Sequence, residues 1–247
     1  FEAMVPYMNR HWGNPSSPYS FGNQARVAVE KARERTAECL GCKPAEVIFT
    51  SCGTESDNLA VRGVVNSLQR NGNHIVTTAI EHHAVLNTCK ALEAKGCQVT
   101  YLPVGSDGIV QIGDLEKSLR PETVLITVMH ANNETGVVQP VEAIASLAKK
   151  RGILFHTDAV QTAGKLPCRL CELGADLISI SSHKFYGPKG MGALYVRERT
   201  PLDALLAGGP HERGRRAGTE NVAGIVGLSH ALTLATESAE SEYKRLR

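Results

Sequence analysis

The chain has 247 residues, 42% of them hydrophobic, and a formal net charge of +2. That length and composition allow one sizeable buried core, in one domain or one domain plus part of a second. The near-neutral charge, without a basic stretch interleaved with aromatics, excludes nucleic acid as the main partner, and no apolar run is long enough for a membrane span.

The seven cysteines are odd in number and scattered. This suits a reducing, cytoplasmic compartment (mitochondrial in a eukaryote) better than a disulfide framework. Two Cys-x-x-Cys pairs, Cys39/Cys42 and Cys168/Cys171, have the local spacing of zinc ligands. Their helical surroundings lack zinc-ribbon turns, so they read as packed thiols, and no metal is expected. Both ends read as cut, Phe1 inside a helical pattern and Arg247 inside a charged helical run.

In chain order, residues 1–12 read as the end of a helix and 13–19 as a turn-rich loop. The spacing of Val27, Val29, Ala32, Ala37 and Leu40 predicts a helix over 21–40, stopped by Gly41. Residues 46–50 read as a buried strand, followed by a small-residue turn and a helix to about Ser67. Strand, turn and helix start aim free backbone N–H groups at an anion, with Thr54 adding a hydroxyl or simply capping the helix. A strand over 74–78 leads to a helix opening at 80–84, where His82 faces a ligand or merely occupies a loop. Strands follow at 97–103 and 123–129, with a short helix at 114–119 between them. A polar loop over 130–136, a helix over 141–150 and a strand over 153–156 come next, the last delivering Asp158 and Gln161. After a short helix, the run from Asp176 reads as a buried strand ending at Ser181, His183 and Lys184. A Gly/Pro turn and a strand over 192–196 follow.

Alternating strands and helices predict an α/β fold with a mostly parallel sheet. Parallel strands place their C-terminal ends on one edge, so the polar clusters after them converge in the crevice where such sheets bind ligands. The converging set matches the needs of pyridoxal 5'-phosphate. Lys184, desolvated at a strand end, is a candidate imine-forming amine; taken alone, a surface lysine leaving a strand is the commoner reading. Asp158 can keep a pyridine nitrogen protonated, or cap its own turn. Ser181 and His183 can reach phosphate oxygens, and Gln161 and Asn133 the phenolic oxygen or the substrate. No Walker-type loop or dinucleotide glycine fingerprint competes.

The segments Gly13-Asn14-Pro15-Ser16-Ser17, Phe49-Thr50-Ser51-Cys52-Gly53-Thr54-Glu55-Ser56, Glu81-His82, Ala131-Asn132-Asn133-Glu134-Thr135-Gly136, His156-Thr157-Asp158-Ala159-Val160-Gln161, Ser182-His183-Lys184-Phe185-Tyr186-Gly187-Pro188 and Glu212-Arg213-Gly214 through Ala217-Gly218-Thr219-Glu220-Asn221 occur in one order. In these the chain resembles the cysteine desulfurase and selenocysteine lyase group of class V, aminotransferase-like, pyridoxal-phosphate enzymes. The resemblance implies the large domain of that fold over 1–230, without its N-terminal segment. It makes 231–247 the start of a helix into a small C-terminal domain that is absent.

It also implies roles. Lys184 would anchor the cofactor and move the α-proton of the substrate, and His82 would stack on the ring and shuttle protons, the two being the catalytic residues. Asp158 would pair with the pyridine nitrogen and Gln161 with the phenolic oxygen, while Asn133 would sit near substrate and cofactor. Gly53, Thr54, Ser181 and His183 would bind phosphate. Thr219 would reach the phosphate of a neighbouring subunit, implying a homodimer. The implied reaction is L-cysteine to L-alanine, the sulfur passing to a protein cysteine for sulfur and iron–sulfur supply. L-Selenocysteine lyase activity, class V transamination and a truncated non-catalytic homologue are the alternatives. The sulfur-accepting cysteine and the arginine for the substrate carboxylate fall beyond residue 247 in the family pattern, and none of the seven cysteines matches the acceptor. Cys52 stands where the family usually has glycine, and Tyr19 where many members have histidine.

Overall fold

A computed structural model describes residues 1–246; Arg247, placed by the sequence in the last helical run, lies outside the described residues. The chain runs α1 (Pro6–Asn9), α2 (Ser20–Leu40), β1 (Val47–Thr50), α3 (Gly53–Leu68), β2 (His74–Thr78), α4 (His83–Glu93), β3 (Gln98–Leu102), α5 (Ile112–Ser118), β4 (Thr123–Thr127), α6 (Val141–Arg151), β5 (Leu154–Asp158), β6 (Leu177–Ser181), β7 (Gly192–Val196) and α7 (Val222–Leu246). One seven-stranded sheet has the order β1-β7-β6-β5-β4-β2-β3. Strands β3, β2, β4, β5 and β6 are parallel, and β7 is antiparallel to both β6 and β1. β1 therefore points the same way as β6, and the fold is α/β with a mostly parallel sheet, as the alternation predicts.

Every residue of β2, β4 and β6 is buried, as expected for strands covered on both faces. On one face α2, α6 and α7 contribute Val29, Leu40, Ile144, Leu147, Leu228 and Leu232 to a core with Phe155 and Ile178. On the other, α3 and α4 contribute Leu59, Val61, Val64, Val85 and Leu92 against Ile75, Leu125 and Leu177. α2 ends where Gly41 turns left-handed at φ 80°, its N–H reaching back to the Ala37 carbonyl. α7 is continuous across position 230, with Leu228, Leu232 and Ala239 buried. No helix among the described residues is long and apolar enough to cross a membrane.

Three expectations shift. The N-terminal helix is only the four residues of α1. Asp158 is the last residue of β5 rather than a loop residue beyond it. Between β5 and β6 there is no α-helix, only turns and the 3-10 segment Leu170–Leu173. Gly164 at φ 68° and Pro167 explain this, since neither continues a helix. Of the four cysteines in the two Cys-x-x-Cys segments, Cys42 and Cys171 interact with each other. Cys39 instead donates to the Thr233 hydroxyl at 3.8 Å, and Cys168 is exposed.

One buried ion pair ties distant segments together. Both terminal nitrogens of the Arg33 guanidinium in α2 meet Glu212, at 2.7 and 2.8 Å, and one also donates to the Val47 carbonyl at 2.9 Å. Glu212 accepts in addition from the Phe49 N–H at 2.9 Å, and Arg33 lies 4.8 Å over the Phe49 ring. The pair holds a turn in which Glu212 and Arg213 are left-handed, at φ 46° and 59°. Removing one partner of a buried pair strands the other charge. Glu212→Ala is therefore expected to lower unfolding free energy by ~3–5 kcal/mol. Urea denaturation measures this, and a loss below ~1 kcal/mol, the size of a surface pair, would contradict it.

Candidate active site

A cavity of ≈ 290 Å³ opens at the C-terminal edge of the sheet, lined by residues including Gly53, Thr54, His82, Asn133, Asp158, Gln161, Ser181, His183 and Lys184. Nine of the ten residues expected from sequence thus share one space. The tenth, Thr219, is exposed and lines a separate recess with Gly190, Met191 and Arg216.

Each side chain is placed by the end of a strand or the start of a helix. α3 begins directly behind β1. Its cap is Cys52, whose sulfur accepts the Glu55 N–H at 3.4 Å, so Thr54 is not the capping residue and its side chain remains exposed. Gly53 is required by close approach: a Cβ there would stand 2.9 Å from Val160 Cγ2 and 3.2 Å from Ser181 Cβ. The α3 N-terminus can press against the ends of β5 and β6 only because that side chain is missing. The preceding turn is fixed by Glu55, which accepts the Ser51 N–H at 2.7 Å and is gripped by Arg216 at 2.8 Å. Burial works against the Glu55 charge, yet Arg216 and Ser51 hold its carboxyl below the usual range.

His82 caps α4 through Nδ1, which accepts the Ala84 N–H at 3.1 Å. This fixes the ring and leaves Nε2 to carry the proton in the neutral form. Asn132 organises the loop after β4: its Oδ1 accepts from the N–H groups of Glu134 and Thr135, both at 2.9 Å, and its amide donates to the Ile80 carbonyl at 3.1 Å. That leaves Asn133 at the cavity. Asp158 accepts the Val160 N–H at 2.9 Å. Burial raises its pKa, while that N–H, His82 and Lys184 pull it back. The Ser181 hydroxyl meets His183 Nδ1 at 3.1 Å, and burial together with Lys184 and Lys189 lowers the His183 pKa. Lys184 is half-buried in the 3-10 segment Ser182–Phe185 that leaves β6.

Two carboxyls at the site escaped the sequence reading. Glu81, 5% exposed, accepts the Thr78 hydroxyl at 2.7 Å and the Met129 N–H at 2.9 Å through Oε1, while Oε2 has no partner. Burial pushes its pKa up to about 8. Asp57 lies one turn into α3 and lines the cavity. A signal existed: positions 57, 60, 61 and 64 share one helical face, and the other three are buried Ala60, Val61 and Val64.

The aminotransferase class-V family model matches residues 1–245. The chain is 52% identical to a protein named cysteine desulfurase IscS from Dictyoglomus turgidum over 246 residues, covering 100% of this chain and 62% of that one. It is 50% identical to the protein of the same name from Methanosarcina thermophila, covering 99% and 61%. Among solved structures, a NifS-like protein superposes with a TM-score of 0.94 at 45% identity, over 97% of this chain and 66% of its own. A structure titled SspA in complex with cysteine gives 0.90 at 42%, over 94% and 67%. The chain spans about 62% of the length of the first of these curated relatives.

Glu81 makes stability depend on pH. Its folded pKa, about 8, exceeds the ordinary 4.5. The folded state thus holds a proton that the unfolded state has lost. That contribution is complete below the ordinary value and drains away as pH rises toward the folded one, at up to ~1.4 kcal/mol per pH unit. Glu81→Gln keeps an acceptor oxygen for Thr78 and Met129 and is expected to flatten the decline. Denaturation at successive pH values checks this, and an unchanged slope in the variant would count against a neutral Glu81.

Proposed function

Because the chain belongs to the aminotransferase class-V family, we propose that it carries the cofactor site of a pyridoxal-phosphate-dependent cysteine desulfurase, which converts L-cysteine to L-alanine and passes the sulfur to a protein cysteine. The observation that carries this reading is the gathering of Lys184, Asp158, His82 and an anion-binding helix start around one cavity. Relatives of about 50% identity bear the desulfurase name.

The residues fit the group. The Gly53 turn is a cradle that a Cβ would fill, open to an anion at the N-terminus of α3, with the hydroxyls of Thr54 and Ser181 and the His183 ring around it. When bound, the cofactor supplies an aldehyde for an amine and a ring that draws electrons from the substrate's α-carbon. The protein does the rest. Lys184 would hold the group covalently through Nζ, then take and return the α-proton. Asp158, held by the Val160 N–H, would keep the proton on the pyridine nitrogen. His82, locked by Ala84, would cover the ring and carry a proton at Nε2, while Gln161 and Asn133 would orient the phenolic oxygen and the substrate. Loosening of the bond from Cβ to sulfur would follow from this proton bookkeeping.

The sulfur acceptor is not assigned to any of the seven cysteines. Burial raises the pKa of Cys97 and pushes Cys89 up to about 12, which leaves both poor nucleophiles. We place the acceptor and the substrate-carboxylate arginine outside these 247 residues, propose a cytoplasmic location, and read Thr219 as completing the phosphate site of a second copy.

Lys184→Ala is expected to abolish the visible absorbance that develops when pyridoxal phosphate is added to the wild-type protein. Wild-type protein without such a band would overturn the cofactor reading. Product analysis with L-cysteine and L-selenocysteine tests the reaction: alanine with sulfide or selenide supports desulfuration or its selenium counterpart, and a keto acid would assign a transaminase.

A further inference from the structure

Asp57 has no role in the chemistry above, yet it shares the cavity with Asp158 and is 1% exposed. Its Oδ1 has no hydrogen-bond partner and lies 3.7 Å from His156 Nε2. Behind it is a closed set of neutral groups. His156 is fully buried between the Thr127 hydroxyl, 2.8 Å from Nδ1, and the Ser179 hydroxyl, 2.9 Å from Nε2. Burial drives the His156 pKa down to about 3, so the ring offers Asp57 no positive charge. The ionisable groups facing Asp57 are Asp158 and His156 from β5, Glu81 from the segment before α4, and Cys52 from the start of α3. The Ser179 hydroxyl of β6 is its one side-chain donor.

Two carboxyls in one dry space cannot both ionise cheaply, and their surroundings decide which does. Asp158 has the Val160 N–H and faces His82 and Lys184. Asp57 has the hydroxyl of Ser179 and the charge of Asp158 against it, so burial and that charge raise its pKa well above the usual carboxylate range. We propose that Asp57 is a positioning residue for Asp158: a neutral carboxylic acid that walls the inner end of the cavity, so that the one negative charge there stays on Asp158 to meet the pyridine nitrogen. The proposal rests on the cofactor reading given above. Asp57 touches no reacting atom. It keeps a second anion out of the cavity that it lines together with Asp158.

Two variants test it, read by the infrared carboxylic-acid C=O band of the cofactor-free protein and by cofactor affinity and the pH midpoint of the visible band in the loaded protein. At neutral pH, Asp57→Asn is expected to lose one carboxylic-acid band, with Glu81→Gln identifying the other. It is expected to keep affinity and midpoint, because one neutral polar group replaces another. Asp57→Ala is expected to lose affinity by at least about tenfold, as a buried polar wall is removed. An infrared spectrum unchanged in the Asn variant overturns the proposal, as does a midpoint displaced by about one pH unit or more, the signature of a lost charge. An Ala variant with wild-type affinity overturns it too. If the Ala variant fails to fold, the infrared and midpoint results on Asp57→Asn still decide. Wild-type protein without a visible band sinks the cofactor reading instead, a result separable from the infrared one.

Discussion

The site depends on one constraint: a backbone buried on both faces must satisfy every N–H and C=O inside the sheet. Polar side chains with chemistry to do are therefore expelled to where strands end. β1, β2, β4, β5 and β6 all point one way, so their ends form a single edge, and the cavity residues leave from it. Two glycines complete the geometry. Gly53 lets the start of α3 touch Val160 and Ser181. Gly192 lets the start of β7 pass under Cys52, where a Cβ would stand 2.6 Å from the Cys52 carbonyl carbon. A helix N-terminus is brought against two strand ends by the absence of side chains rather than by an attractive contact.

The same edge buries three carboxyls, and their fates differ because their donors differ. Asp158 has a backbone N–H and cations nearby, Glu81 has a hydroxyl and a backbone N–H, and Asp57 has a hydroxyl. Burial raises all three. Only Asp158 is offset by neighbouring positive charge, so a single anion at the base of the cavity is the arrangement of lowest cost. Glu55 shows the opposite outcome at the outer rim, where Arg216 compensates the burial and keeps the carboxyl ionised.

What could be read from the chain was local. The apolar runs of β2, β4 and β6 and the face of α2 follow from period and punctuation alone, and so does the convergence of strand ends. The missing helix between β5 and β6 was foreshadowed by Gly164 and Pro167, which punctuate the segment where a short helix was expected. Thr54 looked like the cap because hydroxyls usually cap, yet Cys52 sits two residues nearer the strand and its sulfur takes the bond. Asp57 received no role from the sequence, although it shares a helical face with the buried Val61 and Val64. Arg33 and Glu212 were beyond reach. They are 179 positions apart, and nothing local in either segment announces that one completes the other.

That pair also bears on the proposal that a second copy of the chain completes the site. Left-handed backbone at Glu212 and Arg213 costs roughly 1–3 kcal/mol per residue, and the bidentate contact with Arg33 offsets it. Arg216, held by Glu55, fixes the same loop four residues later. The segment leading to Thr219 is thus pinned at two points to the body of its own chain. Thr219 nevertheless ends exposed and outside its own cavity. That exposed position outside the local cavity is what supports the proposal that Thr219 completes the phosphate site of a second copy.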